Sequence, residues 1–206
     1  MTKSKNRSWI QRHVKDPYVK QSQIDGFRSR ASYKLLEIVE KDRLIRSGMT
    51  IVDLGSAPGG WSQVASDLAG ESGKVYAIDI LPMDPLRGVE FIQGDFTEAA
   101  ILDLLQTLVK NRPVNLVISD MAPNLTGSKE IDQPAMIYLA EIALDLALNS
   151  LESKGIFISK LFHGQGFDQF VREAGKVFNK VSIVKPQASR PKSREVYIVA
   201  KGLKVN

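Results

Sequence analysis

From residue 50 onward, short apolar runs alternate with segments of helical periodicity. The runs are Thr50–Leu54 (TIVDL), Lys74–Ile80 (KVYAIDI), Val89–Gln93 (VEFIQ), Asn115–Ser119 (NLVIS) and Gly155–Lys160 (GIFISK). Between them lie the helical segments Trp61–Leu68, Glu98–Lys110 and Gln133–Leu151; Glu98–Lys110 carries Ile101, Leu102, Leu105 and Leu108 on one face. Strands joined by helices form a parallel, doubly wound sheet, because parallel neighbours need a crossover connection. After a helix at Phe167–Phe178 the pattern changes. Val181–Val184 and Val196–Ala200 (VYIVA) follow one another with no helix between them, so they pair antiparallel. The expected fold is α/β and Rossmann-like: a seven-stranded, mostly parallel sheet with one antiparallel strand near the C-terminus and helices on both faces. An earlier helical pattern starts near Arg30 and runs toward Gly48. Residues 1–24 have few periodic apolar positions and many charges, so a basic N-terminal segment, mobile or only partly ordered without a partner, is expected there, with residues 25–206 as a single domain.

Charge is distributed in three blocks. Residues 1–46 hold 12 Lys/Arg against 5 Asp/Glu (+7), residues 47–171 hold 7 against 16 (−9), and residues 172–206 hold 9 against 2 (+7). Basic ends of this kind suit a polyanion partner. Cysteine is absent, which excludes disulfides, thiolate metal sites and a cysteine nucleophile. With only His13 and His163, a multi-histidine metal site is nearly excluded, and no metal is expected. No apolar run approaches the ~20 residues that span a bilayer, and the N-terminus has no apolar signal core. A cytoplasmic protein with no membrane partner is expected, monomeric because no heptad or extra apolar face stands out.

The first strand runs into Asp53-Leu-Gly55-Ser56-Ala57-Pro58-Gly59-Gly60-Trp61. Small residues here let backbone approach a ligand closely at the start of the next helix. The dinucleotide template G-x-G-x-x-G fails, since Ala57 replaces the glycine that admits a pyrophosphate. Asp53 also suits a cationic group better than a phosphate. Asp79, ending the second strand, is placed to bind both hydroxyls of a ribose. Asp95, after the third, can accept from an adenine amino group. An amine, a ribose and an adenine without phosphate describe S-adenosylmethionine. Asp is common in turns, but three successive strand ends carrying it mark a site.

The fourth strand ends at Ser119-Asp120 and the fifth at Ser159-Lys160. A lysine ending a buried strand needs a partner. Asp120 across the crevice is the economical one, and Lys34 and Glu195 can join the pair.

These residues resemble a family. The motifs SRASYKL (29–35), DLGSAPGGWSQ (53–63), DILPMDP (79–85), QGDF (93–96), SDMAPN (119–124), SKLF (159–162) and SREVYIVA (193–200) are similar to those of the FtsJ/RrmJ (RlmE) ribosomal RNA 2′-O-ribose methyltransferases, from about residue 10 to the end. The resemblance implies an S-adenosylmethionine-dependent methyltransferase domain that releases S-adenosylhomocysteine. It implies a catalytic tetrad of Lys34, Asp120, Lys160 and Glu195, and it supports cofactor roles for Gly59, Trp61, Asp79, Asp95 and Asp120 beside Asp53, Gly55, Ser56, Pro58 and Gly60 of the glycine loop. Ser56 is a small departure from the alanine common in relatives.

The implied reaction is in-line attack of a ribose 2′-hydroxyl on the sulfonium methyl group. Lys160 is the expected base, acting in its neutral form; the alternative is an ammonium that orients the oxygen. Lys34 and Glu195 bring both basic ends to the crevice, so Arg28, Arg30, Lys185, Arg190, Lys192 and Arg194 are expected to border an RNA-binding surface through phosphate contacts. Trp9, Tyr18 and Phe27 are candidates for base stacking, against a plain packing role. Pro186, Ser189 and Pro191 suggest a semi-rigid loop over 185–194. The motifs are closest to enzymes acting on a uridine of large-subunit (23S) rRNA within assembling ribosomal particles. The alternatives are a tRNA 2′-O-methyltransferase and a ribosome-assembly RNA-binding factor that retains the pocket. An NAD-dependent dehydrogenase is disfavoured by Ala57 and by the Asp120/Lys160 pair.

Overall fold

A computed structural model describes residues 16–110 and 112–204. Seven strands form one sheet: β1 (Thr50–Leu54), β2 (Lys74–Asp79), β3 (Val89–Gln93), β4 (Val114–Ser119), β5 (Leu151–Phe162), β6 (Phe178–Val184) and β7 (Glu195–Leu203). Their order is β3-β2-β1-β4-β5-β7-β6. Every pair from β3 to β5 is parallel, while β7 runs antiparallel to both β5 and β6. The expected single antiparallel strand is therefore β7, inserted between β5 and β6.

Alternate residues of each strand enter opposite cores, as the pleat requires. Ile51, Val75, Leu116, Ile118, Ile158, Tyr197 and Val199 face α2 (Ala31–Glu40) and α3 (Gly60–Ala69). Val52, Leu54, Ile78, Val117, Phe157, Leu161 and Ile198 face α4 (Ala99–Val109), α5 (Lys129–Ser150) and α6 (Phe167–Val177). Central strands buried on both sides explain the nearly continuous apolar runs of the sequence.

Three expectations shift. The helix read from Arg30 toward Gly48 stops at Glu40. Arg43 adopts a φ of 47° and the Leu44 amide bonds Val39 O, so the chain turns there. Leu44 and Ile45 remain buried, which is why they looked periodic. Second, within the segment for which no helix is read from the sequence, Pro17–Ile24 forms helix α1. Asp16 caps it by accepting from the Tyr18 amide at 3.1 Å, and Pro17 takes the first helical position, where no amide donor is needed. Third, α5 begins at Lys129, ahead of the expected Gln133, with acidic Glu130 and Asp132 in the first turn, where the helix dipole favours them. The expected strands at 155–160, 181–184 and 196–200 all extend further. The extension of β5 to Phe162 and of β7 back to Glu195 matters, because it pairs Phe162 with Glu195 and Lys160 with Tyr197.

Among the described residues no helix is long and apolar enough to cross a membrane. Phe157 is fully buried and stacks on Phe178 with ring centroids 6.3 Å apart. Phe157→Ala should cost about 3–5 kcal/mol in urea unfolding, through lost burial and the cavity left behind.

Candidate active site

Parallel strands end along one edge of the sheet, and antiparallel β7 starts there. That edge collects Asp53, Asp79, Asp95, Asp120 and Lys160 from five strands or strand ends, with Glu195 and Tyr197 at the opening of β7. Helix α2 adds Lys34 from the layer above.

The tetrad is assembled as two ion pairs. Lys160 Nζ lies 2.8 Å from Asp120 Oδ1, and Lys34 Nζ lies 2.7 Å from Glu195 Oε1. Lys160 also donates to the Asp120 carbonyl at 2.6 Å and approaches Glu195 Oε2 at 4.0 Å, joining the two pairs. Lys160 is 6% exposed. Burial alone would push the Asp120 carboxyl up, but Lys160, Lys34 and the bonds from Lys160 and Tyr197 bring it below the usual aspartate value. The tetrad groups come one each from α2, the end of β4, β5 and β7.

Tyr197 is a member that sequence reasoning missed. Its hydroxyl donates to Asp120 Oδ1 at 2.6 Å and approaches Glu195 Oε1 at 3.2 Å. Complete burial, then the Asp120 and Glu195 charges, hold its pKa well above the usual 10, so it stays a phenol and a donor. A signal existed: Tyr197 sits two residues after Glu195, hence on the same face of β7. Ser189 also donates to Glu195 Oε1 at 2.9 Å.

Beside the tetrad lies the cofactor region. Asp53 is fully buried; Ser62 donates to its Oδ2 at 2.6 Å, while Oδ1 has no partner. The buried Ser56 hydroxyl also has none. Burial first, then the negative charges of Asp120 and Asp79, push the Asp53 carboxyl up to about 7, against the pull of Ser62. Asp79 accepts the Ala57 and Leu81 amides, both at 2.8 Å, and its second lone pairs are available for a diol. Asp95 binds Thr97 through Oδ1, at 2.9 Å from the amide and 2.7 Å from the hydroxyl. Gly55 has φ 72°, and a Cβ there would fall 2.3 Å from Met121 Cγ; Gly59 has φ 104° beneath Met83 and Leu86. Pro58 and Gly60 complete the turn into α3. Trp61 is buried, with its indole turned to α2: Nε1 donates to Ala31 O at 2.8 Å and the ring lies 5.5 Å from that of Tyr197. Its side chain thus braces Tyr197 and, through it, the tetrad. Orphaned acceptors at Asp53 and Ser56, spare acceptor capacity at Asp79 and Asp95, and a negative field fit a cofactor that brings an amine, hydroxyls and positive charge.

The expected RNA-binding residues divide into two groups. Arg30 is 14% exposed and pairs with Asp16 while donating to Ala188 O; Tyr18 lies under its guanidinium. Arg28 donates to three backbone carbonyls. Arg30 is turned inward, whereas Arg28 is part-exposed with its terminal nitrogens held by the chain. Arg190 is half-exposed and 3.7 Å from Asp16, Lys185 is exposed and donates to Ser193 O, and Lys192 is exposed. Arg194 donates to Gln133 Oε1 and His163 O, over the Phe162 ring. The 185–194 loop is anchored, as Pro186, Ser189 and Pro191 suggested: Glu37 accepts the Gln187 and Ala188 amides, and Ala188 and Ser189 are buried. Tyr18 and Phe27 pack on Tyr33 at 5.4 and 5.3 Å, which favours the packing role. Trp9 lies outside the described residues.

Asp53 carries a pH signature. Its carboxyl holds a proton to about pH 7 in the folded chain but to only 3.8 ordinarily. The folded state therefore binds more protons between those values, and stability falls as pH rises through them. Asp53→Asn removes this slope. Urea unfolding of the ligand-free protein should show the variant gaining on the parent between about pH 4 and about pH 7, with the difference level above that; an unchanged difference across the window would contradict the assignment.

The comparisons agree with this geometry. A family model described as FtsJ-like methyltransferase matches residues 27–203. A ribosomal RNA large subunit methyltransferase E of Marinobacter nauticus is 57% identical over 204 residues, covering 99% of this chain and 98% of the relative. One from Hahella chejuensis is 55% identical, covering 99% and 100%. A crystal structure described as a ribosomal RNA methyltransferase of Plasmodium falciparum superposes with a TM-score of 0.78 at 28% identity, over 86% of this chain and 98% of that one. With its sheet order, its strand-end acids and its Lys-Asp-Lys-Glu cluster, the chain belongs to the FtsJ-like methyltransferase family.

Proposed function

We propose that this protein transfers a methyl group from S-adenosylmethionine to a ribose 2′-hydroxyl, on a uridine of large-subunit (23S) rRNA in assembling ribosomal particles. The observation that carries the reading is the buried pairing of Lys160 with Asp120 beside an acidic pocket whose Asp53 and Ser56 acceptors lack partners. Relatives named for large-subunit rRNA methylation support the choice of RNA.

Asp79 and Asp95 would hold the ribose and adenine of the cofactor, while Asp53, Ser56 and the glycine loop would face its methionine part. When bound, the cofactor supplies an electrophilic methyl group and leaves as a neutral thioether, S-adenosylhomocysteine. The chain's own task is to aim a hydroxyl and receive its proton. Two oxygens of Asp120 already accept from Lys160 Nζ, at 2.8 and 2.6 Å. A neutral amine has two N–H donors and one lone pair. Both donors are matched by Asp120, which leaves the lone pair to take the 2′-hydroxyl proton. The same geometry in the charged form would present a third N–H to the oxygen and orient it. Lys34 holds Glu195, and the Tyr197 hydroxyl fixes both carboxylates, so the base keeps one position. No acid is needed on the thioether side, and the chemistry calls for no metal.

Arg190, Lys192, Lys185 and Arg194 form the RNA rim of this reading, with a protein that is monomeric and cytoplasmic. Its test is transfer of labelled methyl groups from S-adenosylmethionine to undermodified large subunits, free rRNA and tRNA. Incorporation into large subunits at a mapped 2′-O-uridine is expected; incorporation into tRNA alone would move the substrate, and none at all would leave an RNA-binding assembly factor. In the same assay Lys160→Ala should abolish transfer while calorimetry still detects the cofactor. Asp79→Ala should do the reverse at limiting cofactor, weakening affinity by about tenfold or more through the loss of charge-assisted hydrogen bonds.

A further inference from the structure

Arg28 lies far from the tetrad in chemistry, yet it makes more contacts with backbone acceptors than the other arginines of the crevice. Its Nη1 donates to Asp84 O at 2.6 Å and to Pro58 O at 3.3 Å, and Nη2 donates to Pro85 O at 2.7 Å. Pro58 belongs to the glycine loop after β1. Asp84 and Pro85 belong to the loop between β2 and β3. One guanidinium therefore ties together the two loops that flank the cofactor region.

The rest of the residue is also fixed. Its amide donates to Gln63 Oε1 at 3.0 Å, and Gln63 Nε2 donates to Gly26 O at 2.9 Å, so α3 holds the chain where Arg28 leaves it. The side chain then passes under the glycine loop. A Cβ on Gly59 would come within 3.1 Å of Arg28 Cδ, 2.9 Å of Met83 Sδ and 3.0 Å of Leu86 Cδ1. A second tie between the same loops is made by Asp79, which accepts from Ala57 on one side and from Leu81 on the other. The spacing between the two loops thus depends on two bridges, one acidic and one basic, on either side of the turn at 57–58.

We infer that Arg28 is a positioning residue for the cofactor pocket, setting the gap between the glycine loop and the 80–88 loop, and is not a phosphate contact for RNA. The inference rests on the cofactor assignment above. Its physical basis is the fork of the guanidinium, which offers several donors in fixed directions. A phosphate contact needs free donors on that fork, whereas here, although the group is part-exposed, both terminal nitrogens are engaged by carbonyls of the chain. Carbonyl acceptors carry no formal charge, so this contact should also be nearly indifferent to salt.

The test compares the parent with Arg28→Ala and Arg28→Lys in the full-length chain. Calorimetry with S-adenosylmethionine and with S-adenosylhomocysteine measures the pocket. Binding to large-subunit rRNA over a salt series measures phosphate contacts. Arg28→Ala should weaken both cofactor forms by about tenfold or more, since hydrogen bonds from a charged donor are lost. KM for S-adenosylmethionine should rise while kcat at saturation changes by less than about threefold, because the tetrad is untouched. RNA affinity and its salt slope should stay at the parent's values. Arg28→Lys should recover only a minor part of the loss, since a compact ammonium cannot bridge three separated carbonyls; it also serves as the readout should the alanine variant fail to fold.

Unchanged cofactor affinity in the variants would overturn the inference. So would a loss of RNA affinity with the salt slope reduced by about one, the mark of a missing phosphate contact. Failure of the parent itself to bind S-adenosylmethionine would instead overturn the cofactor assignment, so the two failures are told apart.

Discussion

Two ion pairs buried at the edge of the sheet constrain everything around them. An unpaired charge taken out of water is expensive, and removing one member of such a pair typically costs about 3–5 kcal/mol. Lys160 and Asp120, and Lys34 and Glu195, therefore have to meet, and they come from four different elements. The helix α2 must lie over the face of β5 and β7 from which Lys160 and Tyr197 project. Strand β7 must run antiparallel so that its first residue reaches the edge where the parallel strands end. Tyr197 bonds an oxygen of each carboxylate and fixes their spacing. An arrangement that satisfies the charges also places a lysine nitrogen with one free position at the mouth of a crevice.

The acidic pocket next to it has the opposite character. Burial first, and then the negative charges of Asp120 and Asp79, push the Asp53 carboxyl up to about 7. Such a pocket is unfinished without positive charge, whereas the tetrad is neutral and complete. In the proposed function the two take different parts: the tetrad is fixed scaffolding for proton movement, and the acids receive a cationic cofactor. The described parts of the two basic blocks meet around this region, but not all of their charge is turned outward. Arg30 and Arg28 are tied to groups of the chain itself, while Arg190, Lys192 and Lys185 remain toward solvent.

Much of the fold was legible because its signals are periodic. Strands in the middle of the sheet are buried on both faces and read as apolar runs, so the bounds of β1 are legible to the residue. The edges of elements were less legible where side chains decide them. Helix α1 depends on the Asp16 cap, and the end of α2 depends on a left-handed Arg43, neither of which has an apolar period. The tetrad lysines and carboxylates were visible as charges in motifs. Tyr197 was hidden inside an apolar strand motif, since its hydroxyl acquires a meaning only from Asp120, which lies 77 residues away in the chain.

By itself the sequence determined the layer architecture, the edge at which the site forms and the chemical types brought there, because alternation, strand length and strand-end residues are local properties. Tertiary structure decided which charges pair, which arginines face the protein, and which aromatic residue ties the carboxylates together. Those choices depend on register and on the packing of helices against the sheet. Glu195 meets Lys34 only because β7 starts opposite Phe162, and Arg28 clamps two loops only because Gln63 fixes its backbone. Long polar side chains report their partners through distance, and distance is set by the fold.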